Sequence, residues 1–199
     1  MEINLGLIPD VYLEDYKIEV YDSLEEVYFI WYLQELYDRQ FIDKVIYHET
    51  NYELSSGLWV RTNKLLKTKI KKDHRQLLKP HEYSHDFNIV WNTKAYSLLT
   101  NIFGVALHAP LIPFWNKISR IEVKADYDRN NMTRLFRINQ KWVWEKYNVY
   151  IQLVKIPLLF KSTFTPERYL KQNFKHGARK IHFEPKKRDN FLKRLPYNK

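Results

Sequence analysis

The stretch Ile121-Glu-Val-Lys-Ala125 limits the fold more than any other segment, because apolar and charged residues alternate through it without a break. Successive side chains of a strand point to opposite faces. As a strand, this segment lays Ile121, Val123 and Ala125 on a core and sets Glu122 beside Lys124 on the other side. Such a strand needs neighbours, and the flanking sequence supplies them. Ser23, followed three residues later by Glu26, forms a capping box that opens a helix over about 23–38. Leu24, Val27, Tyr28 and Trp31 continue it at helical spacing. Phe41 to Tyr47 reads as a short strand, and Tyr52 to Leu54 as a strand end. Tyr83 to Trp91 is patterned as a strand, with Phe87, Ile89 and Trp91 on one side and Asp86 and Asn88 on the other. Leu135 to Tyr147 reads as a helix, and Val149 to Ile156 as a strand ended by Pro157. The order helix, strand, strand, strand, helix, strand predicts an α/β sheet packed by helices.

Two stretches interrupt that order. Residues 61–80 concentrate Lys and Arg and predict an exposed basic insertion, helical in part and ended by Pro80. Tyr96 to Trp115 is apolar and interrupted by proline, which predicts a second insertion. The chain therefore divides into a core over 1–160, with insertions at about 55–80 and 94–118, and a basic, aromatic extension over 161–199. Thr165 is placed to cap a short helix starting at Pro166. Ile102 to Trp115 is too short to span a bilayer and is broken by Gly104, Pro110 and Pro113. The first residues carry acid and no basic run, unlike a signal peptide. The expectation is a protein that does not enter membranes.

The 199 residues suit one domain with insertions, and a formal charge of +10 points to a polyanionic partner, most often nucleic acid. With no cysteine, disulfides, thiolate zinc sites, iron–sulfur clusters and a cysteine nucleophile are excluded. Any metal site must rest on oxygen or imidazole. A carboxylate beside an ammonium on a rigid strand, as at Glu122 and Lys124, can hold Mg²⁺ and orient a water or phosphate. The same acid-x-Lys spacing at Asp15-Tyr-Lys17 and Glu184-Pro-Lys186 lacks this setting, since Pro185 spoils a central strand. Glu122 follows Asp86 on a predicted neighbouring strand, and the pair suffices as a minimal Mg²⁺ site. Glu26 adds a third carboxylate at the end of an apolar row on the first helix. Each piece also has an ordinary reading. Ser23 with Glu26 is a helix cap, and Glu122 with Lys124 is an exposed ion pair worth little.

In this order the motifs resemble the PD-(D/E)XK nuclease superfamily. The match runs from Ser23-x-x-Glu26 through Tyr83-x-x-Asp86-Phe87 to Ile121-Glu122-Val123-Lys124, then the helix from Phe136 and the Tyr147-Asn-Val-Tyr150 segment. It covers roughly residues 20–156 and is similar to small phage nucleases and Holliday-junction-resolvase-like members. The resemblance implies a restriction-endonuclease-like mixed central sheet flanked by helices. It also implies Mg²⁺-dependent hydrolysis of DNA, with Mn²⁺ as a substitute. Glu26, Asp86 and Glu122 would be metal ligands, Lys124 the catalytic lysine, and Gln140 or Lys141 an auxiliary polar group. The long spacings and His85 before Asp86 depart from the family pattern.

DNA contacts are expected from Lys69, Lys71 and Lys72 in the first insertion. Arg129, Arg134, Arg137 and Lys141 follow the catalytic strand, and Lys186, Lys187 and Arg188 lie in the tail. The expected setting is phage DNA replication, recombination or processing in the cytoplasm of an infected host cell, or in the virion. Branched DNA rests on family analogy alone, and a homodimer is allowed. The rival reading is a non-catalytic nucleic-acid-binding or virion-associated protein on the same fold. A further motif, His81-Glu82-Tyr-Ser-His85, fits the zinc-peptidase pattern H-E-x-x-H. That pattern needs a helix, and Pro80 with the strand-like run after His85 argues against one.

Overall fold

The computed structural model describes residues 2–3, 21–97, 117–125, 132–171 and 181–193. Its centre is a five-stranded mixed sheet in the order β1-β2-β7-β8-β9. These strands are β1 (Glu2–Ile3), β2 (Ile42–Tyr47), β7 (Phe87–Trp91), β8 (Ile118–Lys124) and β9 (Ile151–Lys155). Neighbours are antiparallel except β8 and β9, which run parallel. A parallel pair needs a crossover, and α2 (Met132–Tyr147) supplies it.

Helix α1 (Leu24–Tyr37) packs on one face of the sheet and α2 on the other side. Residues 26–33 of α1 are all buried, as is Leu36. A helix buried on all sides must be covered on all sides. The sheet covers one side through Phe87, whose ring lies 5.4 Å from Phe29. The C-terminal elements α3 (Ile156–Ser162), α4 (Glu167–Lys171) and α5 (Arg188–Leu192) bring cover for another. Phe164 stacks on Tyr32 at 4.4 Å, and Tyr169 meets Tyr28 edge-on at 5.0 Å. Phe160, Phe164, Tyr169 and Leu192 share one apolar cluster with α1 and the sheet. Phe164, Tyr169 and Leu192, from the stretch expected as an extension, are thus built into the core. Helix α2 buries one face, with Phe136 and Val143 closing a smaller cluster against Tyr52, Tyr83 and Ile151.

Three expectations are corrected. First, residues 61–80 contain no helix. They lie within an antiparallel hairpin of β4 (Leu58–Leu65) and β5 (Ile70–Leu78), registered from Leu58↔Leu78 to Leu65↔Ile70. Lys, Arg, Gln and Leu favour helix on propensity, but a cross-strand ladder, broken only by a register shift between Leu58 and Trp59, satisfies the backbone instead. Leu66 N–H donates to the Lys69 carbonyl and closes the turn. Second, Tyr83 to Trp91 is two strands. β6 (His81–Ser84) pairs with β3 (Asn51–Ser55), and β7 pairs in the central sheet, so the chain changes sheets at His85-Asp86. Third, Thr165 does not cap α4, since its buried hydroxyl has no hydrogen-bond partner among the described residues.

Most of the expected second insertion lies outside the described residues. Among the described residues, no helix is long and apolar enough to cross a membrane.

Candidate functional site

β8 sorts its side chains as the alternation predicts. Ile121 and Val123 are buried in the core shared with α1. Glu122 and Lys124 project together from the opposite face, and their carboxylate and ammonium meet at 2.6 Å. Ala125 departs from the pattern and is exposed, because β8 ends at Lys124.

Asp86 is placed by the change of sheets. Its N–H donates to the Ile121 carbonyl at 3.1 Å, and its Oδ2 accepts from the Val123 N–H at 2.6 Å. Asp86 therefore grips the β8 backbone on both sides of Glu122. Tyr83, on the strand just before the switch, donates its hydroxyl to Glu122 Oε2 at 2.8 Å. Burial pushes the Glu122 carboxyl up to about 7, with the Asp86 charge adding to the rise against the pull of Lys124. Burial pulls Lys124 down, but Glu122, Asp86 and Glu26 outweigh it and hold the ammonium above its ordinary value. A raised carboxyl and a firmly charged lysine side by side form a proton-holding pair in a partly dry site.

Glu26 reaches the same neighbourhood from the N-terminus of α1. Ser23 takes the cap position with extended backbone, and its Oγ accepts from the Glu26 N–H at 3.3 Å. Ser23 Oγ also donates to Glu26 Oε1 at 2.8 Å, while Oε2 accepts from Tyr47 Oη at 2.6 Å and the Asp22 N–H at 3.0 Å. Ser23 therefore caps the helix, Glu26 reaches back to the Asp22 N–H in place of the Ser23 N–H, and Glu26 still feels Asp86. Burial raises its carboxyl, and the Asp86 charge adds to the rise.

Sequence reasoning missed two residues here. His48 follows β2 with φ of 47°, in the left-handed region that a non-glycine residue seldom occupies. Its N–H donates to the Asp86 carbonyl at 3.0 Å. Its Nε2 lies 3.7 Å from Asp86 Oδ1 and 3.8 Å from Asp22 Oδ2. The Asp86 carboxylate beside it raises the imidazole above its ordinary value. Ligand atoms of Asp22, Glu26 and His48 all lie within 4.8 Å of one another. The one local signal for Asp22 was its place beside the capping serine. His48 carried none, because only the β2–β7 pairing brings it to Asp86.

The other expected site residues fall elsewhere. Gln140 is buried on α2, where its Nε2 donates to the Ile151 carbonyl and its Oε1 accepts from Arg137 at 3.1 Å. The first of these bonds ties α2 to the start of β9. Lys141 and Arg134 are exposed on α2, and Arg129 lies outside the described residues. Arg188 is held by Asp189 at 3.0 Å and by the Glu35 carbonyl at 3.2 Å, which joins α5 to α1. Lys186 Nζ donates to the Lys161 carbonyl, and Lys187 is exposed. Lys69, Lys71 and Lys72 are exposed on the β4–β5 hairpin.

The H-E-x-x-H match lacks the helix it requires. His81 faces Asn139 of α2 at 3.0 Å, while His85 is buried against Asn88 at 2.8 Å. Burial lowers His85 to about 4, so it stays neutral at ordinary pH.

No family model, curated protein or solved structure matches this chain.

Proposed function

We propose that this chain is a Mg²⁺-dependent DNA nuclease of the PD-(D/E)XK type, acting in phage DNA replication, recombination or processing. The observation that carries the reading is Asp86 gripping the backbone on either side of Glu122, with Lys124 on the same strand face. The core order α1, β2, β7, β8, α2, β9 around a sheet with one parallel pair supports the restriction-endonuclease-like arrangement. Asp86 and Glu122 supply hard carboxylate oxygens, which fits Mg²⁺, with Mn²⁺ an acceptable substitute. When bound there, Mg²⁺ would supply Lewis-acid charge at the phosphate and ease ionisation of a water.

The chain's own residues have separate tasks. Tyr83 holds the Glu122 carboxylate in place. Lys124 offers its ammonium to the attacking water or to charge developing on the phosphate. Glu26 sets the field around Asp86, and its oxygens already serve the helix cap.

The test is nicking of plasmid and branched DNA in Mg²⁺. Lys124→Ala and Asp86→Ala should each lower cleavage by roughly 100-fold or more. A parent that never cuts, or variants that cut as well as it does, would sink the proposal. A second reading, a non-catalytic nucleic-acid-binding protein on this fold, draws on two observations. Three protein groups already bond the Glu26 oxygens, and Gln140 bonds to β9. DNA binding without cleavage would favour it.

A further inference from the structure

We infer that the β4–β5 hairpin is an arm that grips duplex DNA, with the Arg61 face along a groove and the Leu65–Ile70 tip wedged at a base step. The inference rests on the nucleic-acid reading above and adds the form of DNA and the element that holds it.

The arm forms a two-stranded sheet of its own. Every strand residue in it is exposed except Val60 and Gln76, which are half-buried. Eight residues of β4 at about 3.4 Å each give a reach of roughly 25 Å. From 58 to 79 the chain carries eight Lys and Arg against Asp73 alone, a formal +7 within a total of +10. Most of the net charge is thus on a projecting ribbon, and a two-stranded ribbon fits the major groove of B-form DNA.

The register sorts the arm into two unlike faces. One carries the pairs Arg61↔His74, Asn63↔Lys72 and Leu65↔Ile70. Arg, Lys and Asn are the side chains that read base edges, and this face has no acid. The other face carries Val60↔Arg75, Thr62↔Asp73 and Lys64↔Lys71, so its cations share their face with the arm's one acid. The tip pair is exposed by 80% at Leu65 and 64% at Ile70. An apolar pair exposed at the end of a basic ribbon is placed to contact a partner, and apolar side chains are what DNA-binding proteins insert between base steps.

The arm is continuous with the site. β3 and β6 prolong the same hairpin towards the sheet, and β6 bears Tyr83, the donor to Glu122. Gly57 makes the corner between the two ladders at φ of 78°. A Cβ there would meet the Leu78 carbonyl oxygen at 2.7 Å and the Pro80 nitrogen at 2.9 Å.

The experiment is fluorescence anisotropy of the full chain on a duplex oligonucleotide across a salt series, in EDTA so that nothing is cut. Arg61→Ala with Lys72→Ala should weaken binding about tenfold and lower the salt slope by roughly 2. The charge-matched pair Lys64→Ala with Lys71→Ala should do less than half of this. Equal losses overturn the face assignment, and no loss from either pair overturns the arm. Leu65→Ser with Ile70→Ser should keep the salt slope but abolish the fluorescence rise of 2-aminopurine placed in the duplex. An unchanged rise overturns the wedge. Tighter binding to anionic phospholipid vesicles than to duplex overturns DNA as the occupant. A parent that grips duplex and never cuts removes the nuclease and keeps the arm. A parent that cuts, with KM unmoved by Arg61→Ala and Lys72→Ala, does the reverse.

Discussion

β7–β8 and β4–β5 are both antiparallel ladders, but different forces hold them. Across the first, Phe87 and Ile121 face each other and are fully buried. Across the second, the tip partners Leu65 and Ile70 stand in solvent. Burial fixes the register of the first, since a one-residue slip would turn Glu122 and Lys124 into the apolar core and Ile121 and Val123 onto the polar site face. The arm's register rests on its own ladder, its turn and the corner at Gly57. The site is therefore an outcome of packing, and the arm's surface is free to serve a partner.

The sharpest way to break this contrast is to cut one large side chain from each ladder. Phe87→Ala should cost about 3–5 kcal/mol in urea unfolding, because Phe87 packs on Phe29 and Tyr47 as well as across the pair. Ile70→Ala should fall within about 0.5 kcal/mol of the parent. Comparable losses would mean that the arm is packed on something after all.

Titration probes the buried ladder alone. Glu122 binds its proton more tightly when folded, at about 7 against an ordinary 4.5. Its contribution to the metal-free protein is full at low pH and is lost as pH rises from about 4.5 through 7. His85, lowered to about 4, acts in the opposite sense, its contribution being lost as pH falls below its ordinary 6.5. Subtracting a Glu122→Gln variant isolates the first effect. The parent's stability relative to the variant should fall between pH 5 and pH 8, by no more than about 3 kcal/mol. A flat difference would mean that Glu122 is solvated like an ordinary carboxyl.

Gly57→Ala acts at the junction of the two regions. The contacts awaiting its Cβ and its positive φ predict a loss of about 1–3 kcal/mol. Hydrogen exchange should locate the change in the arm and leave β7 and β8 protected. The smallest effect belongs to Lys69→Ala at the tip turn, expected within about 0.5 kcal/mol in unfolding.

Much of the central sheet was legible locally. Ile121 to Lys124 alternates because one face of β8 is buried, and Ser23 with Glu26 announces α1 because a helix start needs acceptors for its free N–H groups. The arm was misread because its Lys, Leu and Gln favour helix, while the cross-strand pairing is absent from any one segment. The break at His85-Asp86 was hidden for a similar reason. Both halves carry strand residues, and only their partners, β3 for one and β2 with β8 for the other, separate them.

Local chemistry alone dictates a capped helix, a strand with Glu122 and Lys124 on one face, an aromatic-rich core and a strong cationic excess. Which distant groups meet is set by the folded packing. It brought His48 and Asp22 to Glu26, aimed Asp86 at the backbone of β8, turned Gln140 to β9 and folded the C-terminal aromatics over α1. Side-chain alternation and helix capping are set within a few residues, whereas pairing across tens of residues is set by the one packing that buries all of these surfaces together.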